Sequence, residues 1–296
     1  MTRPGLATLD EGSRIALGAA SGSRRWRRFR RRAIGMIAAA ITAAFVLVAL
    51  GAPWIAPHDP AAQQLSARLA PPDAAHWLGR DEFGRDLLSR IVWGARLSFV
   101  LGVASVALSL VLGVPLGLVA GYAGGRLDGV LMRAVDVLLA FPGILLALAV
   151  VAVVGAGGVG SLVLAIGVFG MPTFARLARA SALALRPTEF VEAARALGAG
   201  PSRVLARHVL PNALGPLIVQ STLGVAGAIL TASALSFLGV GIQPPAPEWG
   251  AMISDGRALL RAAPQLVAWP GLALTLVTYA LNALGDVLRD VLDPRG

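Results

Sequence analysis

EFVEAARALGAGPSRVLARHVLPNA, residues 189–213, interrupts an otherwise greasy chain with charge, helix formers and glycine. Pro187-Thr188 can start a helix, with Thr188 as cap and Glu189 in the first turn, where the helix dipole favours an anion. Phe190, Ala194 and Leu197 recur at i, i+4 and i+7 and predict one apolar face. Glu192 and Arg195 are three apart on the more polar side. Gly198 suits a left-handed helix end, and Gly200-Pro201 suits the start of a second helix running to Leu210-Pro211. The stretch therefore reads as a short amphipathic helix, a glycine elbow and a helix tied to the next apolar segment. Such a unit could be pushed from outside a membrane and pass the movement inward. On physics alone an interfacial helix resting on lipid headgroups fits equally well.

The surroundings make a membrane the relevant solvent. Of 296 residues 56% are hydrophobic and 14% charged, with mean hydropathy +0.72. A soluble domain carries roughly 45–50% apolar and about 25% charged residues. Six stretches are long enough to cross about 30 Å of hydrocarbon as helices. They lie near 33–55, 95–120, 134–155, 159–180, 212–235 and 266–287, so the fold class expected is an all-α integral membrane protein. The first is longer than a signal-peptide core and reads as an uncleaved anchor. Pro115, Pro142 and Pro172 lie in or at the ends of spans and can kink them. Gly113, Gly117 and Gly121, and likewise Gly224 and Ala228, have the four-residue spacing that lets helices pack closely. That packing could lie within one chain or between subunits.

All 26 basic residues are Arg, and the formal net charge is +10. Nine Arg precede the first span, so the basic tail reads as a topology anchor rather than a nucleic-acid site. With the N-terminus inside, 19 Arg fall on cytoplasmic segments and 7 on external ones. This predicts both termini in the cytoplasm. The expected organisation is a cytoplasmic tail at 1–32 (disordered over 1–20), a first span at 33–55, an external segment at 56–94, and a transmembrane domain at 95–296. The loop at about 186–211 then faces the cytoplasm. The external segments 57–94 and 236–265 are rich in Pro and Gly and would cap a cavity or meet an external partner.

Most catalytic chemistry is poorly supported. Cysteine is absent, and His58, His76 and His208 stand far apart without metal-ligand spacing, so no metal site is expected. Gly155–Gly160 matches GxGxxG but joins two spans, with Arg176 and Arg179 where a ribose-binding acid belongs, so it reads as a turn. A phosphate-binding P-loop needs a lysine this chain lacks. If ATP drives the protein, another polypeptide binds it. Ion-coupled transport usually needs ionisable groups within spans. The clearest candidate is Asp136, expected to form a structural ion pair with Arg133 three residues earlier. No nucleophile motif appears and no catalytic residue is expected.

Glu192-Ala193-Ala194, Gly198 after three residues, and Leu210-Pro211 resemble the EAA loop of permease subunits of binding-protein-dependent ABC importers. His208 stands where that pattern has Ile. The resemblance implies that Glu189, Phe190, Glu192, Ala193, Ala194, Arg195, Leu197, Gly198, Leu210 and Pro211 form the region coupled to an ATPase. HWLGRDEFGRDLLSRIVWGARLS (76–98), MRAVDVLLAFP (132–142), ALSFLGVGIQPPAPEWGAMI (234–253) and LGDVLRDVLDPR (284–295) are similar to the dipeptide/oligopeptide/nickel group, in its "C"-type permease. Gly79, Asp81, Gly84, Arg85, Asp86, Trp249 and Gly250 carry that external resemblance. It implies a type I importer fold in the bacterial cytoplasmic membrane, a "B"-type permease partner, two cytoplasmic ATPases and an external solute-binding protein. ATP and Mg are then expected on partner subunits, with no cofactor on this chain. Peptides are the expected cargo, and nickel or a glutathione-type ligand the alternatives. A self-sufficient secondary transporter and a non-transporting membrane scaffold are the rival classes.

Overall fold

A computed structural model describes residues 11–155 and 158–292, with side chains described from residue 33 onward. The regular elements among the described residues are all helices, with no β-strand. Among the described residues five helices, or six with one bent pair counted as a span, are long and apolar enough to cross a membrane.

The chain opens with α1 (Glu11–Ile55), whose apolar part is Ala33–Ile55. Residues 11–20, expected to be disordered, are part of this helix. An extended segment with a single 3-10 turn (Leu65–Ala67) leads to α2 (Leu87–Ala123). At 37 residues α2 is about 55 Å long, more than the hydrocarbon needs.

The third expected span, 134–155, is not continuous. It is divided between α3 (Gly125–Leu139) and α4 (Gly143–Val154), which meet at 91°. Phe141-Pro142 supplies the cause. Proline lacks an amide hydrogen, and the residue before it is driven from helical geometry. Gly155 then turns the chain at φ +106°. Ala156 and Gly157 of the GxGxxG stretch lie outside the described residues, and Gly160 already belongs to α5 (Val159–Leu185).

α2 and α5 form the most intimate pair. Gly113, Gly117 and Gly121 lie against the backbone at Met171, Ala175 and Arg179, four residues apart on each side. At Gly117 a β-carbon would collide with the Ala175 backbone, so the glycine is required for the approach. Gly224 packs on Val106 and Phe174, and Ala228 is buried in the same core. The small-residue spacing is therefore used within the chain.

After α5 come α6 (Glu189–Ala196) and α7 (Pro201–Val204). A π-helical turn over Leu205–Val209 then joins α7 to α8 (Leu210–Phe237). α9 (Trp249–Gly256) and α10 (Gln265–Leu292) complete the bundle. Two apolar cores follow. One joins α2, α4, α5, the 189–210 unit and α8; the other joins α1, the start of α2, α8, α9 and α10.

Candidate functional site

The 186–211 unit sits at the end of the bundle where α2 terminates. Val191 and Ala194 turn inward, three residues apart, and Val191 joins Val204 and Val209 in the larger core. Val191 is fully buried and anchors α6, a role the i, i+4, i+7 reading missed. That reading placed Phe190, Ala194 and Leu197 on one face. The structure separates them: Ala194 is buried, Phe190 is 42% exposed and Leu197 is 89% exposed. The inward stripe is held by the following helix, which the periodicity of α6 alone could not reveal. Glu189, Glu192, Ala193 and Arg195 are exposed alongside Phe190 and Leu197. The outward surface is thus apolar side chains set among charges.

The elbow has the geometry that its glycine demands. Gly198 has φ +83°, its amide donates to the Arg195 carbonyl, and the Ala199 amide donates to the Ala194 carbonyl. This pair of bonds is a Schellman helix end, which favours glycine at the left-handed position. A β-carbon at 198 would meet nothing within 4 Å among the described residues, so the surface there is open. Thr188 occupies the cap position, but its hydroxyl turns back to the Leu185 carbonyl at 2.6 Å. Arg195 does not reach for Glu192; its guanidinium lies over the Tyr122 ring at 5.8 Å. Phe190 packs 6.5 Å from the ring of His208, within the π turn. Leu210 is half-buried and Pro211 exposed at the start of α8.

The expected Arg133–Asp136 pair does not form. Asp136 accepts from Arg176 Nη2 of α5 at 2.6 Å, and Arg133 is exposed without an ion pair among the described residues. A second bond set links α3 to α5, with Arg179 donating to both oxygens of Asp128 at 2.6 and 2.7 Å. The i, i+3 spacing allowed a pair along α3; the packing of α5 across it supplied better-placed partners.

At the opposite end of the bundle, Gly79, Asp81, Gly84, Arg85, Asp86, Trp249 and Gly250 are all buried. They bind segments 57–94 and 236–265 to one another rather than standing exposed. Asp81 accepts from Arg85 Nε at 2.6 Å and lies 3.3 Å from Arg90 Nε. Arg90 also donates to the carbonyls of Pro60 and Pro245. Trp249 Nε1 donates to the Ile91 carbonyl at 3.1 Å. Glu248, fully buried, accepts from Ser233 of α8 and caps α9 through the Ala251 amide. Gly84 turns at φ +72° directly against the Gln64 backbone, where a side chain would collide. Burial pushes the Glu82 and Asp255 carboxyls above their ordinary values.

Asp86 caps α2, accepting from the Ser89 amide and hydroxyl at 2.8 and 2.7 Å and from His76 Nδ1 at 2.8 Å. Burial raises its pKa, but these hydrogen bonds outweigh it and the carboxyl is held below its usual value. His58 stacks on His76 at 4.3 Å, so two histidines distant in sequence meet an aspartate. Potential ligand atoms of His58, His76 and Asp86 lie within 4.8 Å of one another. His76 is engaged at both nitrogens, however, by Asp86 and by Arg80 Nη2 at 2.6 Å. The cluster is a hydrogen-bonded joint with a guanidinium beside it.

Between the two ends lies a cavity of about 240 Å³ lined by α2, α5 and α8. A second, of about 530 Å³, lies toward the 186–211 end between α5, α8 and α10.

Residues 113–295 match the family described as binding-protein-dependent transport system inner membrane component. Residues 22–72 match the N-terminal transmembrane domain of oligopeptide transport permease C. The dipeptide transport system permease protein DppC of Alkalihalophilus pseudofirmus is 44% identical over 270 residues, covering 91% of this chain and 88% of that protein. The di/tripeptide transport system permease protein DppC of Pseudomonas aeruginosa is 46% identical, covering 84% of each chain. The glutathione transport system permease protein GsiD of Pectobacterium atrosepticum is 43% identical, covering 91% of this chain and 90% of that one. Among solved structures, the inward-facing MetNI methionine ABC transporter aligns with TM-score 0.58 at 20% identity, over 69% of this chain and 96% of that chain.

Proposed function

The chain belongs to the family of binding-protein-dependent transport system inner membrane components, and from that membership we propose that it is the permease subunit of an ATP-driven importer of di- and oligopeptides. It works beside a second, "B"-type permease, two cytoplasmic ATPases that bind ATP and Mg, and an external solute-binding protein. Both termini and the 186–211 unit face the cytoplasm; the Asp81–Asp86 end faces outward.

The observation that carries this reading is the shape of the 186–211 unit. α6 is anchored inward by Val191 and Ala194, while Phe190 and Leu197 are presented outward beside an open glycine elbow. Large apolar side chains exposed among charges mark a surface made for another protein. The unit is also a lever. α7, the π turn and α8 form one apolar helical run over Pro201–Phe237. The inner part of this run contacts α6, its middle lines the central cavity, and its outer part holds Glu248 through Ser233. An ATPase that moves α6 would displace α8 along the cavity wall and pull on the outer joint. The bundle then moves between inward- and outward-open arrangements. Rigid transmission needs a continuous element and a core that shifts between packings, and α8 supplies the first.

A second cargo, glutathione, is supported by the similarity to the glutathione permeases. The test is purification through a tag on this chain from its native membrane, with mass spectrometry of what accompanies it. A second permease, a Walker-motif ATPase and a solute-binding protein are expected, and ligand screening of that binding protein separates dipeptide from glutathione. Recovery of the chain alone, under mild detergent with ATP present, overturns the importer reading.

A further inference from the structure

Among the described residues the central cavity is lined by no ionisable side chain; its polar groups are hydroxyls and one amide. That amide, Gln220 of α8, makes no hydrogen bond to the protein among the described residues. Gln220 and Leu223 line both the 240 Å³ cavity and the 530 Å³ cavity, so they stand at the threshold between the two. Across the central cavity Thr173 of α5 is exposed and likewise unbonded. In the same lining the Ser105 hydroxyl of α2 is shut off from water with no partner among the described residues. The neighbouring Ser109, by contrast, donates to the carbonyls of Ser105 and Gly167. Hydroxyls on membrane helices satisfy themselves readily on the preceding turn, as Ser109, Ser221 and Thr231 do here. Three polar groups without partners around one cavity are therefore an available binding set.

Resting on the peptide-import reading, we infer that Gln220, with Thr173 and Ser105, is a hydrogen-bonding station that engages the backbone amides of the peptide as it crosses. A primary amide carries both donors and acceptors and so matches a peptide N–H and C=O together. Being neutral, it treats substrates alike whatever the charge of their side chains. An ionised group at this threshold would instead hold peptides of opposite charge and repel the rest. A bare divalent metal would want carboxylate or imidazole ligands, and this lining has neither. The position on α8 adds a mechanical role. The lever that the 186–211 unit would move also carries Gln220, so the station shifts with each cycle and releases its cargo toward the larger cavity.

The test uses the complete importer in proteoliposomes, with its binding protein and ATPases, and three dipeptides: one neutral, one containing Lys and one containing Glu. The wild-type complex takes up all three; failure there overturns the import reading itself. Gln220→Leu should lower uptake of all three by roughly the same factor, on the order of tenfold, while ATPase stimulation by loaded binding protein stays at the wild-type level. Wild-type uptake in Gln220→Leu overturns the station, and so does loss of ATPase stimulation in parallel with uptake, which marks broken coupling. Gln220→Glu gives an independent reading. It should favour the Lys-containing over the Glu-containing dipeptide severalfold, and equal treatment of the two overturns the inference even if Gln220→Leu fails to assemble.

Discussion

The two ends of this bundle are written in similar letters and built for opposite purposes. Both EFVEAARALGAG (189–200) and GRDEFGRD (79–86) combine carboxylates, arginines and glycines. In the first, Glu189, Glu192, Arg195 and Leu197 are exposed and the space around Gly198 is empty. In the second, Asp81, Arg85 and Asp86 are buried and Gly84 is pressed against the Gln64 backbone. Charge that stays in water leaves a surface free for a partner. Charge taken out of water must be paired and bonded, and so locks a loop in place. One end is an exposed surface and the other a buried, bonded joint.

That contrast can be broken from either side. The largest effect is expected at the joint. Arg85→Ala leaves Asp81 buried with its closest partner gone, a loss of about 3–5 kcal/mol. The protein should be cleared from the membrane, as read by immunoblot; normal abundance would mean that the outer block is solvated and adaptable. Asp86→Ala removes a helix cap and the partner of His76, costing about 1–3 kcal/mol. Its pH dependence sharpens the point. Because the Asp86 carboxyl is held below its usual value, its contribution is present above the unfolded pKa of about 3.9 and is lost as pH falls through the lower folded value. Glu82 and Asp255 have the opposite sign: burial raises them, so they favour the folded state when protonated and weaken it as pH rises through their folded values. Thermal stability of the wild type should thus tolerate mildly acidic medium, and Asp86→Ala should reduce the loss below about pH 4.

At the other end the effects on stability shrink while those on transport grow. Gly198→Asp places a side chain at φ +83° at a cost of about 1–2 kcal/mol, with space to hold it. The protein should remain in the membrane while uptake collapses; unchanged uptake would remove the coupling role from this loop. Leu197→Ser alters a side chain that is 89% exposed. Stability should change by no more than about 0.5 kcal/mol, yet co-purification with the ATPase should weaken. If instead the variant unfolds, Leu197 packs within the chain and the two ends are less different than they look.

Much of the molecule was legible in its sequence because membrane helices obey local rules. Length and hydropathy located five spans, and the glycine elbow announced its left-handed geometry at Gly198. Pro142 marked the place where the third apolar stretch breaks, although its division into two helices at 91° was not foreseen. Local rules failed wherever two candidate partners competed. Asp136 had Arg133 at helical spacing, but α5 brought Arg176. Val191 looked no different from Phe190 until α7 and α8 showed which side was covered. His58 and His76, 18 positions apart, gave no sign that their rings would stack.

The sequence by itself determined the helical membrane class, the family pattern and the position of the glycine elbow. These depend on hydrophobic length, backbone conformation and spacing, which are properties of contiguous residues. Only the tertiary structure decided which charges are buried, which arginine meets which carboxylate, and that Gln220 stands between two cavities. These depend on distances between helices far apart in the chain, where burial changes the energy of the same side chain from negligible to decisive.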